Sequence, residues 1–462
     1  MNIFLFITII LSFLTLINRI YKLYHLVQSK KYIPAKHPDE KAKSEKVAIH
    51  VPISNEPPGL VLKTLESLSR ISYSDYRVFV LDNNTKNRDK WLPVMLYCEK
   101  NSALFTFYHE EKLADYKAGA LNYLLERTPP DYGYIAIVDS DNIVKPGFLT
   151  ELIPYLKNEK VAFIQTPLGF KDNPENYRFI SWIFLIYRYY LSVYMPSLAN
   201  KDHAPFIGSM GIIKRKCLEH AGGWDGKYLT EDMEISYRLF SKGFQSVFYN
   251  KHLGSSMPPD NIKSFKQQHF RWNFGNSQIL RDHFFKKKKF RYSYLYFSSP
   301  GIYLNIYLLP FFLTVFIFSV LKVFYHSATE PVTLLIIISV LAIEIFSDIL
   351  GFYKISKRER TGKIYCIKNI VSWFGLAVNN TLSTYYAFIK KSIPFVITEK
   401  GVSSKKRRFQ PEYITAAITL VILLTVNDLF IRTAALLLLI FPVCFIIVTL
   451  VNTDNHDDTQ TK

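Results

Sequence analysis

Residues 134–142, YIAIVDSDN, decide the fold: an apolar run there ends in two aspartates, Asp139 and Asp141. Such a run predicts a buried strand that gives way to a turn. Upstream, apolar runs alternate with helical patterns, the runs at 47–53, 77–82 and 104–109 and the helices at 60–70, 88–100 and 117–127. This alternation predicts an α/β domain with a mostly parallel sheet and right-handed crossovers.

Polar side chains follow three of these predicted strands. Asn55 and Glu56 follow the first, Asp82 ends the second, and Asp139 and Asp141 follow the fourth. Because ligands of open parallel sheets bind at the carboxyl ends of the strands, we expect these residues to share one nucleotide-binding crevice. The sequence has no GxGxxG or GxxxxGK loop, which argues against dinucleotide-binding and P-loop proteins.

The acidic pair Asp139 and Asp141 predicts a divalent cation. Bare carboxylates would repel a nucleotide diphosphate, whereas Mg²⁺ or Mn²⁺ would bridge them to phosphate oxygens, with Asp141 as the closer ligand. An ordinary acidic turn is the alternative for so short a motif. Asp82 suits a hydrogen bond to a base or ribose, although aspartate also closes many strands that bind nothing.

TEDMEISYRLF, residues 230–240, predicts a helix that begins beside Glu231 and Asp232. Thr230 is the expected cap, and the positive end of the helix dipole favours an ionised carboxylate. An ionised Asp232 can accept the proton of an attacking sugar hydroxyl, so it is the candidate catalytic base. Glu231 is a candidate acceptor contact. A merely acidic first turn is the alternative.

QHFRW, residues 268–272, places Gln268, Arg271 and Trp272 on neighbouring positions of one helix face. Arg271 can neutralise a leaving diphosphate, and Trp272 offers a flat apolar surface to a sugar ring. An arginine and tryptophan pair at a membrane interface is the alternative.

The composition predicts a soluble domain attached to membrane spans, since 49% of the 462 residues are hydrophobic. The formal charge is +19, and basic clusters such as 286–289 and 405–408 adjoin apolar segments. This placement indicates the cytoplasmic face of a membrane and argues against a nucleic-acid partner. The four cysteines show no CxxC or metal-ligand spacing, so we expect neither a zinc site nor a disulfide framework.

Five apolar segments are predicted to be helical spans, for which about 20 residues is the usual length. The first is an uncleaved N-terminal anchor at 2–21, with a cleaved signal peptide as the alternative. The others form two hairpins, at 303–323 with 331–352 and at 413–426 with 431–451. Segment 367–388 is predicted to lie along the interface, because basic clusters flank both of its ends; a transmembrane helix is the alternative. Helix 177–198 carries Arg178 and Arg188, which favours packing within the domain or at the interface.

These segments predict the following domains: 1–27 anchor, 28–45 basic linker, 46–289 cytosolic catalytic domain, 290–352 interfacial segment and transmembrane hairpin, 353–410 cytosolic basic loop with interfacial helix, 411–451 transmembrane hairpin, and 452–462 cytosolic tail.

The motifs and their order resemble the membrane-embedded, inverting family-two glycosyltransferases, in particular bacterial cellulose synthase and its β-glucan-producing relatives. The motifs that carry the resemblance are, in chain order, VPISNEP, VLDNNT, YKAGALN, IVDSD, QTP, FIGSMGIIKR, TED, QHFRW and PFVITEK. The resemblance implies a Rossmann-like glycosyltransferase A fold in which Asp82 and Lys117 bind a uridine nucleotide, and Asp139 and Asp141 bind the nucleotide and a metal ion. It also implies that Asp232 is the base, that Gln268 and Arg271 contact the diphosphate, and that Trp272 stacks on the acceptor at a channel mouth. The implied gating loop contains Phe395, Ile397, Thr398 and Lys400.

The predicted activity is processive transfer of a hexose, from UDP-glucose, to a β-linked polysaccharide that is passed outward. A nonprocessive transferase acting on a lipid is the alternative among enzymes, and a transporter with a soluble regulatory domain is the alternative of another class. Membrane lipids and accessory export subunits are further candidate partners, and a bacterial inner membrane is the expected location. VLDNNT replaces the family's LDDG form, which leaves the linkage open.

Overall fold

A computed structural model describes residues 3–34, 45–170, 179–284, 330–390, 393, 410–427 and 429–453. Ten strands lie in these ranges: β1 Val47–Ile53, β2 Tyr76–Asn83, β3 Phe105–Glu110, β4 Tyr134–Ile137, β5 Ile143–Val144, β6 Val161–Gln165, β7 Gly169–Phe170, β8 Gly211–Lys214, β9 Gln245–Phe248 and β10 Gly254–Ser256. Seven form one sheet of order β3-β2-β1-β4-β8-β6-β9, and three form a small sheet of order β5-β10-β7.

Helices cover both faces of the large sheet and continue beyond it. They are α1 Ile3–Gln28, α2 Pro58–Leu68, α3 Arg88–Lys100, α4 Tyr116–Arg127, α5 Phe148–Leu152, α6 Ile180–Tyr189, α7 Met195–Ala199, α8 Arg215–Ala221, α9 Glu231–Ser241, α10 Ile262–Phe284, α11 Glu330–Arg358, α12 Lys363–Gly375, α13 Ala377–Ile389, α14 Pro411–Thr425 and α15 Leu429–Thr453. A π-helical turn, Tyr190–Tyr194, joins α6 to α7, and 3-10 turns lie at Ser29–Lys31 and Ile153–Lys157.

The large sheet is parallel where the sequence predicts it and mixed beyond. β1 pairs in parallel with β2 and β4, and β2 pairs in parallel with β3. β8 then runs antiparallel between β4 and β6, which the alternation did not predict. Gly211 permits this insertion, because a Cβ there would overlap the Phe206 ring and lie 2.9 Å from Oε1 of Gln165.

The strands are buried on both faces, as expected for a sheet covered by helices on each side. Ile49 and Val51 face the core cluster of α2 and α3, whereas Ala48 and Phe79 face the cluster formed with α4. The sheet therefore holds the carboxyl ends of β1, β2 and β4 rigidly at one edge.

Helix α6 packs against α11 and α12, and the prediction that this segment does not span the membrane stays a prediction. The side-chain amide of Asn369, on α12, makes hydrogen bonds to backbone groups of α6. Its Nδ2 donates to the Ser181 carbonyl at 2.8 Å, and its Oδ1 accepts from the Leu185 amide at 2.9 Å. Arg188 on α6 is paired with Glu359 at 2.9 Å and with Nε2 of His252 at 2.8 Å. The half-buried charge of Arg188 is thus balanced by Glu359, which follows α11 directly.

Segment 367–388 is two helices, not one. α12 and α13 meet at Leu376, and each has 13 residues. A 13-residue helix is about 20 Å long, shorter than the roughly 30 Å hydrocarbon core of a bilayer. The polar side chains of α13, among them Asn379, Asn380 and Thr384, are buried, and Asn379 donates to the carbonyl of Lys266 on α10 at 3.2 Å. The polar face of α13 therefore contacts α10.

One helix of the described residues, Ile431–Val451, is long and apolar enough to cross a bilayer, and Pro411–Thr425 is apolar but shorter. The predicted span 303–323 lies outside the described residues. The five-span arrangement and the domain boundaries stay predictions.

Helices α1 and α11 are joined by a buried ionic cluster that no sequence pattern predicted. Asp348 on α11 is fully buried and accepts from Arg19 at 3.2 Å and from Lys22, both on α1. Because an unpaired buried charge is strongly destabilising, these three residues require one another.

Gly119 offers a test of how α4 is held. A Cβ on Gly119 would overlap the backbone oxygen of Ala114, next to the left-handed residues Asp115 and Tyr116. We expect Gly119→Ala to destabilise the fold by about 1–3 kcal/mol, measured by thermal unfolding. Gly59→Ala is the matched control, since no atom lies within 4 Å of its Cβ position. Equal melting temperatures for the two variants would contradict the close approach.

Candidate active site

A lysine and an aspartate meet where β4 ends. Nζ of Lys117, on α4, donates to Oδ1 of Asp139 at 2.5 Å and to the Gly208 carbonyl at 2.8 Å. The Asp139 amide donates to Oγ of Ser209 at 2.9 Å. Lys117, on α4, is thus hydrogen-bonded both to the end of β4 and to the loop before β8, at the carboxyl edge of the sheet.

Asp139 and Asp141 have different surroundings. The Asp139 side chain is 39% exposed, whereas Asp141 is buried and accepts from Oγ of Ser256 at 3.1 Å and the Met257 amide at 3.3 Å. Among the described residues there is no cluster of three His, Cys, Asp or Glu side chains that could hold a metal ion. Two carboxylates nevertheless suit a cation that takes its other ligands from substrate phosphates and water. The assignment of Asp141 as the closer ligand stays a prediction.

Glu231 and Asp232 lie in the first turn of α9, beside the Lys117 ammonium. A Cβ placed on Gly208 would lie 2.8 Å from Oδ2 of Asp232 and 3.5 Å from Nζ of Lys117. The glycine therefore leaves room for both side chains to approach one point. Oδ1 of Asp232 accepts from the Met233 amide at 2.8 Å.

The predicted cap at Thr230 is wrong. Thr230 occupies the N-cap position, but its side chain makes no capping hydrogen bond. Its hydroxyl is buried against α10 instead, where a Cβ on Gly275 would lie 2.5 Å from Oγ1. Close packing of α9 on α10 has displaced the local cap.

Burial and charge oppose one another in this pocket. Burial raises the pKa of both the Glu231 and the Asp232 carboxyl, and the Asp232 charge raises that of Glu231 further. Burial disfavours the Lys117 ammonium, but the carboxylates of Asp139, Glu231 and Asp232 outweigh it and raise the pKa of Lys117. Desolvation therefore has a larger effect on the pKa of the Asp232 carboxyl than the helix dipole has.

Helix α10 brings the QHFRW residues to the same pocket. Burial lowers the pKa of Arg271 to about 10, against the opposing charges of Glu231 and Asp139, so the guanidinium is still charged at neutral pH. Gln268 accepts a hydrogen bond from the hydroxyl of Tyr187. Trp272 is 39% exposed, and its ring lies edge to face with Tyr187, with centroids 6.0 Å apart.

Asp82 lies on the same sheet edge, at the end of β2. β1 separates β2 from β4, so Asp82 is about 10 Å from the end of β4 at the usual strand spacing. Its oxygens accept from Oγ1 of Thr85 at 2.8 Å and from Nδ1 of His109 at 2.9 Å. The His109 ring stacks on Trp91 at 4.3 Å. Burial raises the pKa of Asp82, while the Thr85 and His109 hydrogen bonds lower it.

Asn55 is held close to Asp82 through Thr85. The Asn55 amide donates to Oγ1 of Thr85 at 2.8 Å, and Nζ of Lys90 donates to the Asn55 carbonyl at 2.7 Å. Glu56 follows in the same loop and is half-buried.

The predicted residues thus divide into two groups on one edge. One group converges on a single pocket and consists of Lys117, Asp139, Glu231, Asp232 and Arg271, with Gln268, Trp272 and Asp141 beside it. The other group lies next to it, with Asp82 at the end of β2 and Asn55 in the loop after β1. The gating-loop residues Phe395, Ile397, Thr398 and Lys400 lie outside the described residues. Three residues of the site, Tyr187, His109 and Ser209, were not predicted from the sequence; only Ser209 lay in a quoted motif.

Comparisons with known proteins identify similar sequences and a similar fold. Residues 134–346 match the family model Glycosyl transferase family group 2. The chain is 29% identical over 168 residues to a probable glucomannan 4-beta-mannosyltransferase of Oryza sativa subsp. japonica, over 36% of this chain and 30% of that protein. It is 31% identical over 174 residues to a UDP-forming cellulose synthase of Dictyostelium discoideum, over 36% of this chain and 16% of that protein.

The chain spans less than a third of the length of these two relatives. A solved mannosyltransferase from Pyrobaculum calidifontis, in complex with GDP-Man and Mn²⁺, has the same fold, with a TM-score of 0.52 over 80% of this chain and 98% of that one at 16% identity. Residues 134–346 therefore belong to a glycosyltransferase family 2 domain, and the chain is similar to cellulose synthases and glucomannan mannosyltransferases.

Proposed function

We propose that the protein is a membrane-embedded, processive glycosyltransferase that adds a hexose, glucose from UDP-glucose, to a growing β-linked polysaccharide with inversion. The observation that carries the proposal is that Asp232 lies beside Lys117, and that Lys117 and Arg271 both lie close to the carboxylates of Asp139 and Glu231. A base and a diphosphate-binding charge side by side are what a single displacement at an anomeric carbon requires.

Asp232 is the catalytic base in this proposal. Its carboxylate removes the proton from an acceptor hydroxyl, whose oxygen forms a bond to the anomeric carbon from the face opposite the leaving group. The bond from that carbon to the diphosphate oxygen breaks, and the nucleoside diphosphate leaves with the bonding electron pair. Arg271 and Lys117 balance the charge that develops on the leaving group.

Asp139 and Asp141 would hold Mg²⁺ or Mn²⁺ together with the diphosphate of the donor. A bound divalent cation would supply Lewis-acid stabilisation of the phosphate oxygens. Asp82, fixed by Thr85 and His109, would accept a hydrogen bond from the base or ribose. Trp272 would stack on the acceptor sugar.

The contact between α10 and α13 supports passage of a polar chain. Nδ2 of Asn273, Oγ of Ser277 and Oγ1 of Thr384 are buried there, with no hydrogen-bond partner among the described residues. A buried polar atom without a partner costs about 1–3 kcal/mol, and sugar hydroxyls could satisfy such atoms. Large apolar side chains exposed on α1, α11, α14 and α15, such as Ile20, Phe346, Leu424 and Leu450, support a membrane location.

GDP-mannose is the second candidate donor. Two of the proteins compared above are mannosyltransferases by name, and the P. calidifontis enzyme was solved with GDP-Man. The two donors differ in base and sugar, so one assay separates them.

A product assay tests the proposed function. Membranes containing the protein are incubated with Mn²⁺ and radiolabelled UDP-glucose or GDP-mannose, and the product is sized and digested with linkage-specific glycosidases. We expect high-molecular-weight β-linked product from UDP-glucose. A lipid-extractable product of a few sugars would indicate the nonprocessive alternative, and no transfer from any nucleotide sugar would contradict the proposal.

Asp232→Asn tests the base. We expect transfer to fall by about 10²–10⁴-fold, because the amide cannot accept the proton, while nucleoside diphosphate binding persists. Asp131→Asn is the matched control, as Asp131 is an exposed aspartate paired with Lys46 on the surface. Full activity of Asp232→Asn would assign the base elsewhere.

The pH profile should report the buried carboxyls. Burial raises the pKa of Asp232, and the base must be ionised to act, so activity is present above that pKa and lost as the pH falls through it. We expect the acid limb of kcat/KM to lie above the value of about 4 typical of an ordinary aspartate. An acid limb at or below pH 4 would show that the acting base is not desolvated.

A further inference from the structure

Tyr187 contacts two of the three predicted functional residues of the QHFRW run, Gln268 and Trp272, and lies within electrostatic range of the third, Arg271. It lies on α6, remote in sequence from that run, and its hydroxyl donates to Oε1 of Gln268. Its ring meets that of Trp272 at 6.0 Å and 84°, and its hydroxyl and Arg271 interact electrostatically. We propose that Tyr187 is a positioning residue that orients Gln268 toward the donor diphosphate and sets the plane of Trp272 for the acceptor. This inference rests on the proposed function.

The hydrogen bond decides which end of the Gln268 amide faces the ligand. A glutamine side chain has one acceptor oxygen and one NH₂ donor group. With Oε1 engaged by the Tyr187 hydroxyl, the group left for a ligand is the donor, Nε2. An anionic diphosphate binds hydrogen-bond donors. If the Gln268 side-chain amide were turned over, its oxygen would face the phosphate and repel it.

The ring of Tyr187 holds Trp272 from the side. Edge-to-face aromatic pairs have a preferred geometry, so the Tyr187 ring restricts rotation of the indole. Phe170 packs on the same tyrosine ring at 5.3 Å and 86°. The exposed face of Trp272 is thereby fixed relative to Gln268 one helical turn away.

Helix α6 is itself a fixed support. The Asn369 amide is bonded to Ser181 and Leu185 within α6, and Arg188, next to Tyr187, is paired with Glu359 and His252. Because α6 is held in place by these hydrogen bonds, Tyr187 has a fixed position from which it can orient Gln268 and Trp272 on α10.

Tyr187→Phe removes the hydroxyl and keeps the ring. The test measures binding of UDP and of GDP, each with Mn²⁺, to the purified full-length protein. We expect affinity for the nucleotide that wild type binds to fall about three- to tenfold, with an equal proportional fall in donor kcat/KM. Tyr76→Phe is the matched control, because its hydroxyl donates to the Leu68 carbonyl at 2.8 Å far from the pocket; this variant should lose stability and keep its affinity.

Gln268→Glu tests the same orientation without altering Tyr187. The carboxylate can still accept from the Tyr187 hydroxyl but places negative charge where the donor group stood, so we expect a larger loss of nucleotide affinity than in Tyr187→Phe. Wild-type affinity in either variant, with the protein folded, would overturn the inference. Failure of the wild type to bind either nucleotide would instead overturn the proposed function.

Discussion

The hydrogen-bonded ion pair between Lys117 and Asp139 is the contact on which the site depends. Four acidic residues, Asp139, Asp141, Glu231 and Asp232, gather at one sheet edge, and without cations they would repel one another and any phosphate. Lys117 lies in the first turn of α4, where Asp115 and Tyr116 are left-handed and Gly119 passes the Ala114 backbone closely. A local backbone arrangement thus determines the charge balance of the pocket.

The strands and helices of the first half were predictable because their signals are local. Apolar periodicity located β1 to β3 and their helices within about two residues, and strand ends marked Asp82 and Asp139. What no local pattern predicts is pairing between remote segments. The insertion of β8 beside β4, the Tyr187 contact with Gln268 and the His109 contact with Asp82 join residues far apart in the chain.

The missing capping hydrogen bond at Thr230 is a second case in which a contact between remote segments could not be predicted from the local sequence. Its sequence context favours a capping hydrogen bond, yet the hydroxyl packs against Gly275, where α9 approaches α10 closely and brings Glu231 near Arg271. The site therefore has two supports: the sheet positions the aspartates, and the helices around α10 position the residues that we assign to diphosphate and acceptor. Residue patterns in QHFRW indicate one helix face, but not the partner helix that orients it.

The ionic cluster of α1 and α11 has a consequence for biosynthesis. Arg19 and Asp348 are separated by 329 positions in the chain. At a ribosomal rate of about 5–20 residues per second, roughly 16 to 66 s pass between the emergence of the two residues. During that interval Arg19 and Lys22 cannot pair with Asp348. Docking of the first helix is therefore a late step of assembly, and the nascent chain must keep that helix accessible until its acidic partner has been made.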